Sequence, residues 1–217
     1  MNIAARRPIS ARLSIVLAVC LLTEALILLV LGWGASIAAI VPHAPVWPVP
    51  VPSSALAFAL VALAQLGLWS RSFTLRGYVA PMVVLIASLA GLNLVDRLVF
   101  AGVDFDVTVG WAEFGRHFMA SSEATGHLLL CLVLLRVLAC GGVPMLAVYL
   151  SVAALSAAAA ILCLRMTGSV LLSDIASLRG MSAMTAAMFL QAFLAVLLMP
   201  DEDVQAFGTD EDTITEN

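Results

Sequence analysis

Long apolar stretches, separated by short polar or proline-rich segments, dominate the chain. Each of six stretches is long enough to cross a hydrocarbon core of about 30 Å, which takes roughly 20 helical residues. They run over residues 13–40, 53–69, 78–100, 120–138, 143–164 and 181–199. The pattern predicts an all-α integral membrane protein with about six transmembrane helices, forming one membrane domain over residues 13–199.

The segments between these stretches have the composition of loops. Four prolines over residues 43–52 exclude a helix there and favour extended chain, while Gly141, Gly142 and Pro144 indicate a tight turn. Residues 1–12 are predicted to be a cytoplasmic N-terminal segment. The last segment, 200–217, is rich in acidic residues and contains no basic ones, so we expect a disordered tail.

Composition strengthens the membrane prediction. Hydrophobic residues make up 63% of the chain and charged residues 11%, with a mean hydropathy of +1.09. Soluble domains carry about a quarter charged residues. A chain this apolar needs the lipid bilayer as a partner, and nothing in its charge indicates nucleic acid. Its ten basic residues are all arginine, a composition typical of a GC-rich bacterial genome.

The arginines also predict an orientation, because basic residues are enriched in short cytoplasmic loops. If the N-terminus is inside, the inner loops and helix ends carry Arg6, Arg7, Arg12, Arg71, Arg76 and Arg136, and the outer ones carry Arg97, Arg116, Arg165 and Arg179. This bias predicts a multi-pass protein of the bacterial inner (cytoplasmic) membrane with both termini in the cytoplasm.

Three of the six predicted helices begin alike. Each start has a polar residue, then an alanine, then a ring three positions after the alanine; these are Ser54, Ala55 and Phe58, then Glu123, Ala124 and His127, then Thr185, Ala186 and Phe189. A Ser or Thr at such a start can cap free backbone N–H groups. The pattern predicts three helical hairpin repeats, with chance similarity in an alanine- and leucine-rich chain as the alternative.

These starts, together with further short motifs, resemble the multi-helix N-terminal membrane regions of bacterial sensor proteins. The motifs are Leu31-Gly32-Trp33, then Val51-Pro52-Ser53-Ser54-Ala55-Leu56-Ala57-Phe58, then Gly115-Arg116-His117-Phe118-Met119-Ala120, and Leu198-Met199-Pro200-Asp201. In the family, a Met-x-Pro-Asn-Thr-Ala-Leu-x-Phe-like helix start recurs after each outer loop. The resemblance covers about residues 28–203. It implies a sensory membrane domain of the kind that precedes PAS, histidine kinase or diguanylate cyclase domains.

The chain departs from that family pattern in two ways. Glu123 and His127 stand where the family has Thr and Phe. The family's output domain does not follow residue 200, so we expect either a free-standing relative or a fragment of a longer protein.

Ionisable side chains within the predicted spans are candidates for function, because each costs about 2.5–3.5 kcal/mol to insert into a membrane. Glu24 and His127 lie at similar predicted depths, and Glu123 lies one helical turn from His127 on the same face. We hypothesise a buried cluster of these three residues that senses protons or holds a ligand. The alternative is that they are neutral and form hydrogen bonds between helices that only specify packing.

Nothing in the sequence indicates catalysis. It contains no nucleophile elbow, P-loop, dinucleotide fingerprint or HExxH motif, and its four cysteines have no metal-ligand spacing. We therefore predict no enzyme activity, no metal site and no cofactor.

The leading hypothesis is a sensor-type module that detects a ligand or a membrane state and signals through protein partners, with homo-oligomerisation left open. The alternative is a small structural or accessory subunit of a larger bacterial membrane complex.

Overall fold

The described part of the chain is all-helical. The computed structural model describes residues 9–34, 51–70, 73–95, 119–167 and 181–199. Its helices there are α1 (Ile9–Gly34), α2 (Pro52–Trp69), α3 (Phe73–Gly77), α4 (Val79–Val95), α5 (Ser121–Cys140), α6 (Met145–Met166) and α7 (Ala183–Leu197).

Five segments within these ranges are long and apolar enough to cross a membrane. They are Ile9–Val30, Pro52–Trp69, Thr74–Val95, Ser121–Cys140 and Met145–Met166. The sixth apolar helix, α7, has 15 residues and is therefore roughly 22 Å long at 1.5 Å per residue. This architecture is compatible with a multi-pass helical membrane protein.

The helix bounds differ from the sequence-based spans mainly at the ends. The first helix begins at Ile9, four residues before the predicted span, because the polar side chains that follow Ile9 do not prevent helix formation. The last helix is shorter than predicted at both ends, since Ser182 is its extended N-cap and Leu198 its C-cap. Predicted span residues 35–40 and 96–100, and the predicted tail 200–217, lie outside the described residues.

Local chemistry accounts for several helix ends. Pro52 occupies the first turn of α2, where its fixed φ suits a helix and its missing N–H is not needed. Gly141 ends α5 with a left-handed φ of 72°, and its N–H donates to the carbonyl of Val137 at 3.0 Å. Pro144 is the extended N-cap of α6. The α5–α6 connection is therefore a short turn.

The six longer helices form two layers around a common centre. Helices α2, α5 and α7 contact one another, while α1, α4 and α6 lie on the outside. Each outer helix packs between two inner ones: α1 between α2 and α7, α4 between α2 and α5, and α6 between α5 and α7. In the most apolar 18-residue stretch of each helix, 61% of the residues are buried in α2 but only 17% in α6. We call α2, α5 and α7 the inner helices.

The outer helix α1 shows how one apolar helix divides its faces. Its buried positions recur at alternating intervals of three and four residues, at Ala11, Ser14, Ala18, Leu21, Ala25 and Leu28. That spacing forms one stripe along a helix. The opposite face exposes large apolar side chains such as Val16 and Ile27, as expected of a surface that contacts lipid.

Polar side chains tie α1, α2 and α7 together. The Ser14 hydroxyl donates to the Ala195 carbonyl at 2.6 Å and accepts from Trp69 Nε1 at 3.1 Å. Gln65 donates to the Ala192 carbonyl at 2.8 Å, and Gln191 donates to the Leu17 carbonyl at 3.0 Å. Because Leu17 pairs with Gln191 while Ser14 pairs with Ala195, α1 and α7 run antiparallel. These bonds lie towards the end of the bundle where α2 and α7 finish, which we call the exit end.

Candidate functional site

The inner helices begin with the same backbone geometry. The residue before each helix is extended, with φ and ψ of −63° and 152° at Val51, −61° and 150° at Ala120, and −80° and 157° at Ser182. Each of their carbonyls accepts a hydrogen bond of 3.0–3.1 Å from the shared alanine four residues later; the donors are Ala55, Ala124 and Ala186. All three alanines are buried. We call the end of the bundle where these helices begin the entry end.

The rings that follow these alanines meet at the centre of the bundle. Ring centroids are 4.6 Å apart for Phe58 and His127, 4.8 Å for Phe58 and Phe189, and 4.9 Å for His127 and Phe189, with interplanar angles of 57–66°. All three side chains are buried. Tilted and edge-to-face contacts of this kind are the favoured geometry for aromatic pairs. We call these residues the ring triad; each comes from a different inner helix.

Gly126 allows this contact to be close. A Cβ atom built on Gly126 would lie 2.6 Å from Cζ of Phe189 and 2.8 Å from its Cε1. The Phe189 ring therefore packs directly against the backbone of α5, where any larger residue would displace it.

Above the ring triad, one turn closer to the entry end, lies a layer of three polar residues. Ser54, Glu123 and Thr185 each precede a triad ring by four positions, so each shares a helix face with that ring. All three are at least 98% buried. We call them the polar layer.

Glu123 joins two helix starts within the polar layer. Its carboxyl group hydrogen-bonds with the Thr185 side chain and with the backbone N–H groups of Ala120 and Ser182. Ala120 is the N-cap of α5 and Ser182 is the N-cap of α7. An acidic side chain at the third helical position commonly reaches back to its own N-cap, and here it also reaches the neighbouring helix. Glu123 thus supplies acceptors to the positive ends of two helices.

The start of α7 also has a side-chain cap of its own. The Ser182 hydroxyl accepts from the backbone N–H of Thr185 at 2.9 Å, and the two hydroxyl oxygens lie 2.8 Å apart. Sequence reasoning did not single out Ser182. The Ser-x-x-Thr spacing before an apolar run was the signal that could have found it.

His127 is held by its own helix on one side and lacks a partner on the other. Its Nδ1 lies 2.9 Å from the carbonyl oxygen of Glu123. Because a carbonyl only accepts hydrogen bonds, Nδ1 carries the proton and Nε2 carries the lone pair of the neutral ring. Within the described residues, Nε2 of His127 and Oγ of Ser54 have no hydrogen-bond partner, although both atoms are buried.

Glu24 lies on an outer helix rather than on one of the inner helices. It is half-buried on the outer helix α1, and in the described part of the chain no hydrogen bond or ion pair joins it to Glu123 or His127. Two members of the predicted three-residue cluster are therefore one turn apart on α5, and the inclusion of Glu24 stays a prediction.

The described side chains of the site offer hydrogen-bonding groups. Among the described residues, no group of three or more His, Cys, Asp or Glu side chains could hold a metal ion. In the part of the chain that the structure describes, the side-chain acceptors near the entry end include one carboxyl group, one imidazole nitrogen and several hydroxyls. Such a set can bind and orient a small polar molecule.

Comparisons of the chain with protein-family models, with curated protein sequences and with solved structures find no match.

Proposed function

We propose that this chain is a sensor-type membrane module of six transmembrane helices, built as three helical hairpins around the ring triad. The ring triad is the observation that carries the proposal. If one hairpin is repeated around a common axis, equivalent residues meet at that axis. Phe58, His127 and Phe189 occupy equivalent positions and contact one another at nearly equal distances.

The packing of the outer helices supports the same arrangement. The hairpins are α1 with α2, α4 with α5, and α6 with α7, and each pair is in extensive contact. Each outer helix also contacts the inner helix of the preceding hairpin: α4 contacts α2, α6 contacts α5, and α1 contacts α7. These contacts link the three hairpins in a closed ring, as a threefold repeat requires.

The short helix α7 belongs to the bundle as a sixth span in this proposal. It runs antiparallel to α1 and is bonded to it through Ser14 and Gln191. Its neighbours on both sides are long apolar helices. A helix surrounded in this way crosses the same part of the bilayer as its neighbours, even though it is shorter.

The sensing role rests on the one hairpin that breaks the repeat. At the polar-layer position, α2 and α7 have the hydroxyl residues Ser54 and Thr185, whereas α5 has Glu123. At the ring position, they have Phe, whereas α5 has His127. Hydroxyl residues are sufficient to begin a buried helix, so the costlier acid and imidazole indicate a further task. We assign them to detecting a ligand or a state of the membrane.

The proposed output is a displacement of α5 relative to the other inner helices. Hydrogen bonds fix α1, α2 and α7 to one another near the exit end. Glu123 links α5 to α7 at the entry end. A change at Glu123 or His127 would therefore shift α5 against a more firmly connected unit. With the orientation that the arginines favour, the exit end faces the cytoplasm of a bacterial inner membrane, where a protein partner would read this displacement.

The partner is the part of this proposal that experiment can test directly. The tagged protein is cross-linked in its native membranes, purified in detergent and analysed by mass spectrometry, alongside the E123T/H127F double variant. We expect a partner that carries a signalling output, such as a kinase or cyclase domain, and whose activity changes in the double variant.

Recovery at fixed stoichiometry with a transport, secretion or energy-transducing complex, whose activity the double variant leaves unchanged, would overturn the sensor proposal. That outcome would support an accessory subunit instead.

A further inference from the structure

Three buried polar atoms near the entry end have no hydrogen-bond partner within the described residues. One is Oγ of Ser122, which is a half-buried residue, and the other two belong to fully buried residues. These two are Nε2 of His127 and Oγ of Ser54. Polar groups held away from water without a hydrogen bond are unfavourable, and more so inside a membrane, where no bulk water can reach them. Two such atoms in one region indicate an occupant.

The helix geometry brings these two atoms to the same part of the bundle. Ser54 lies one turn before Phe58 on the same face of α2, and the Phe58 ring lies 4.6 Å from the His127 ring. Both α2 and α5 begin at the entry end and run parallel. Ser54 holds the position in α2 that Glu123 holds in α5 and Thr185 holds in α7, and the latter two are hydrogen-bonded.

The chemistry of the two atoms defines what they can bind. Nδ1 of His127 donates to the Glu123 carbonyl, so in the neutral ring Nε2 has only a lone pair to offer and its ligand must donate a hydrogen bond. The Ser54 hydroxyl can donate or accept. The Glu123 carboxyl group has about four lone-pair sites, of which three are used, and can accept one further bond.

Charge and size further limit the chemical class of the ligand. Within the described residues, the starts of three helices contribute roughly half a positive charge each, which outweighs the one carboxyl group of Glu123 and disfavours a cation. The triad rings are in mutual contact, so a ligand that reaches both atoms would lie between these rings and the polar layer, to which Ser54 belongs. A small neutral donor fits, and a buried water typically makes about three hydrogen bonds in such a place.

We propose that His127 Nε2 and Ser54 Oγ bind one small neutral hydrogen-bond donor between α2 and α5, with water or a hydroxyl-bearing solute of similar size as the occupant. The ligand would join α2 to α5, just as Glu123 joins α5 to α7. Only one part of this inference rests on the proposed function, namely that the bound molecule belongs to the class of ligand that the sensor module detects. The binding itself involves no partner protein.

Nuclear magnetic resonance of the imidazole nitrogens tests the proposal in lipid nanodiscs. The chain has three histidines, so an H43Q/H117Q background leaves His127 as the only labelled imidazole. We expect a neutral ring protonated at Nδ1, an Nε2 resonance shifted by hydrogen bonding, and magnetisation transfer from water to the ring. A resonance typical of a free lone pair with no transfer from water would overturn the proposal, as would protonation at Nε2.

Matched variants test whether the two residues share the occupant. S54A should weaken the water transfer to His127, whereas S151A should leave it unchanged, because Ser151 is also buried and without a partner but lies on the outer helix α6. Equal effects of S54A and S151A would contradict a shared site.

A double-mutant cycle of S54A and H127F, measured by thermal unfolding, gives an independent readout. His127→Phe installs the residue found at the other two triad positions and is expected to fold. A shared ligand predicts that the double variant loses no more stability than the more affected single variant, whereas strictly additive effects would contradict it. None of these measurements involves a partner, so this site can fail while the sensor proposal stands, and the reverse.

Discussion

Glu123 shows how one residue that differs between equivalent helix starts changes the hydrogen bonds that the start can make. Ser54 and Thr185 occupy the same position with shorter, uncharged side chains. The Glu123 side chain is long enough to reach the N-caps of both α5 and α7. A cap within one helix thus becomes a connection between two.

The first prediction concerns this shared cap. Glu123→Ala removes acceptors from two helix starts and leaves buried donors unpaired, and each lost cap typically costs about 1 kcal/mol. We expect a loss of about 2 kcal/mol in the free energy of unfolding, measured by denaturant titration in mixed micelles. The control is Thr125→Ala, because the exposed Thr125 hydroxyl bonds only to Ser121 within its own helix. Equal losses in the two variants would contradict a shared cap.

A second prediction concerns the packing of Phe189 on Gly126. Gly126→Ala places a methyl group where the ring lies, and overpacking of this kind costs about 1–3 kcal/mol. Gly91→Ala on α4 is the matched control, since an added Cβ there meets nothing within 4 Å. The control should be neutral or stabilising, because alanine favours a helix by about 1 kcal/mol over glycine. Thermal unfolding of both variants would show a clear difference, and similar melting temperatures would refute the contact.

The sequence contains part of this site but not all of it. The repeated order of polar residue, alanine and ring could be found by inspection, because each start uses the same local geometry. The contact of the three rings depends on how the helices are arranged around a centre, which local pattern does not contain. Gly126 gave no signal at all, since its role is to leave space for a ring from another helix.

At the scale of helices, apolar length locates the spans but does not assign their partners. Helix α1 is apolar on every side, so its sequence does not show which face is buried. The small residues Ala11, Ala18 and Ala25, together with Ser14, form that face because they allow close approach to α2 and α7. The short helix α3 was not predicted, because the sequence-based spans left residues 70–77 as a connection; only a turn at Tyr78 separates it from α4.

A third prediction concerns the bonds between helices at the exit end. Ser14→Ala removes the donor to the Ala195 carbonyl and leaves Trp69 Nε1 without its acceptor. Interhelical hydrogen bonds in membranes contribute about 0.6 kcal/mol on average, with a maximum near 1.7 kcal/mol. We expect a loss of about 1 kcal/mol in detergent unfolding. Ser156→Ala should change little, because the exposed Ser156 hydroxyl bonds only to Val152 in its own helix. A larger loss for Ser156→Ala would contradict this prediction.

At the scale of the whole molecule, the helices are connected by side-chain hydrogen bonds of different strength. Polar bonds join α1, α2 and α7 near the exit end, whereas the described side-chain bond between α4 and α5 is a weaker one from the Cys131 thiol to the Val83 carbonyl, at 3.5 Å. Helix α5 also carries Glu123 and His127, which differ from the residues at the same positions of α2 and α7. In the described residues, the polar bonds near the exit end do not include α5.

The central claim is that Glu123 and His127 set the position of α5 against α2 and α7, and pulsed electron paramagnetic resonance tests it most directly. Spin labels at Ser70, Cys140 and Leu198 report the exit ends of α2, α5 and α7, in a background where the other cysteines are replaced by alanine. Distances are compared between that background and its E123T/H127F variant, in which α5 has residues of the kind found in the other two helices. We predict that both distances from Cys140 shift while the distance between Ser70 and Leu198 stays the same. Three unchanged distances, or a shift of all three, would contradict the claim.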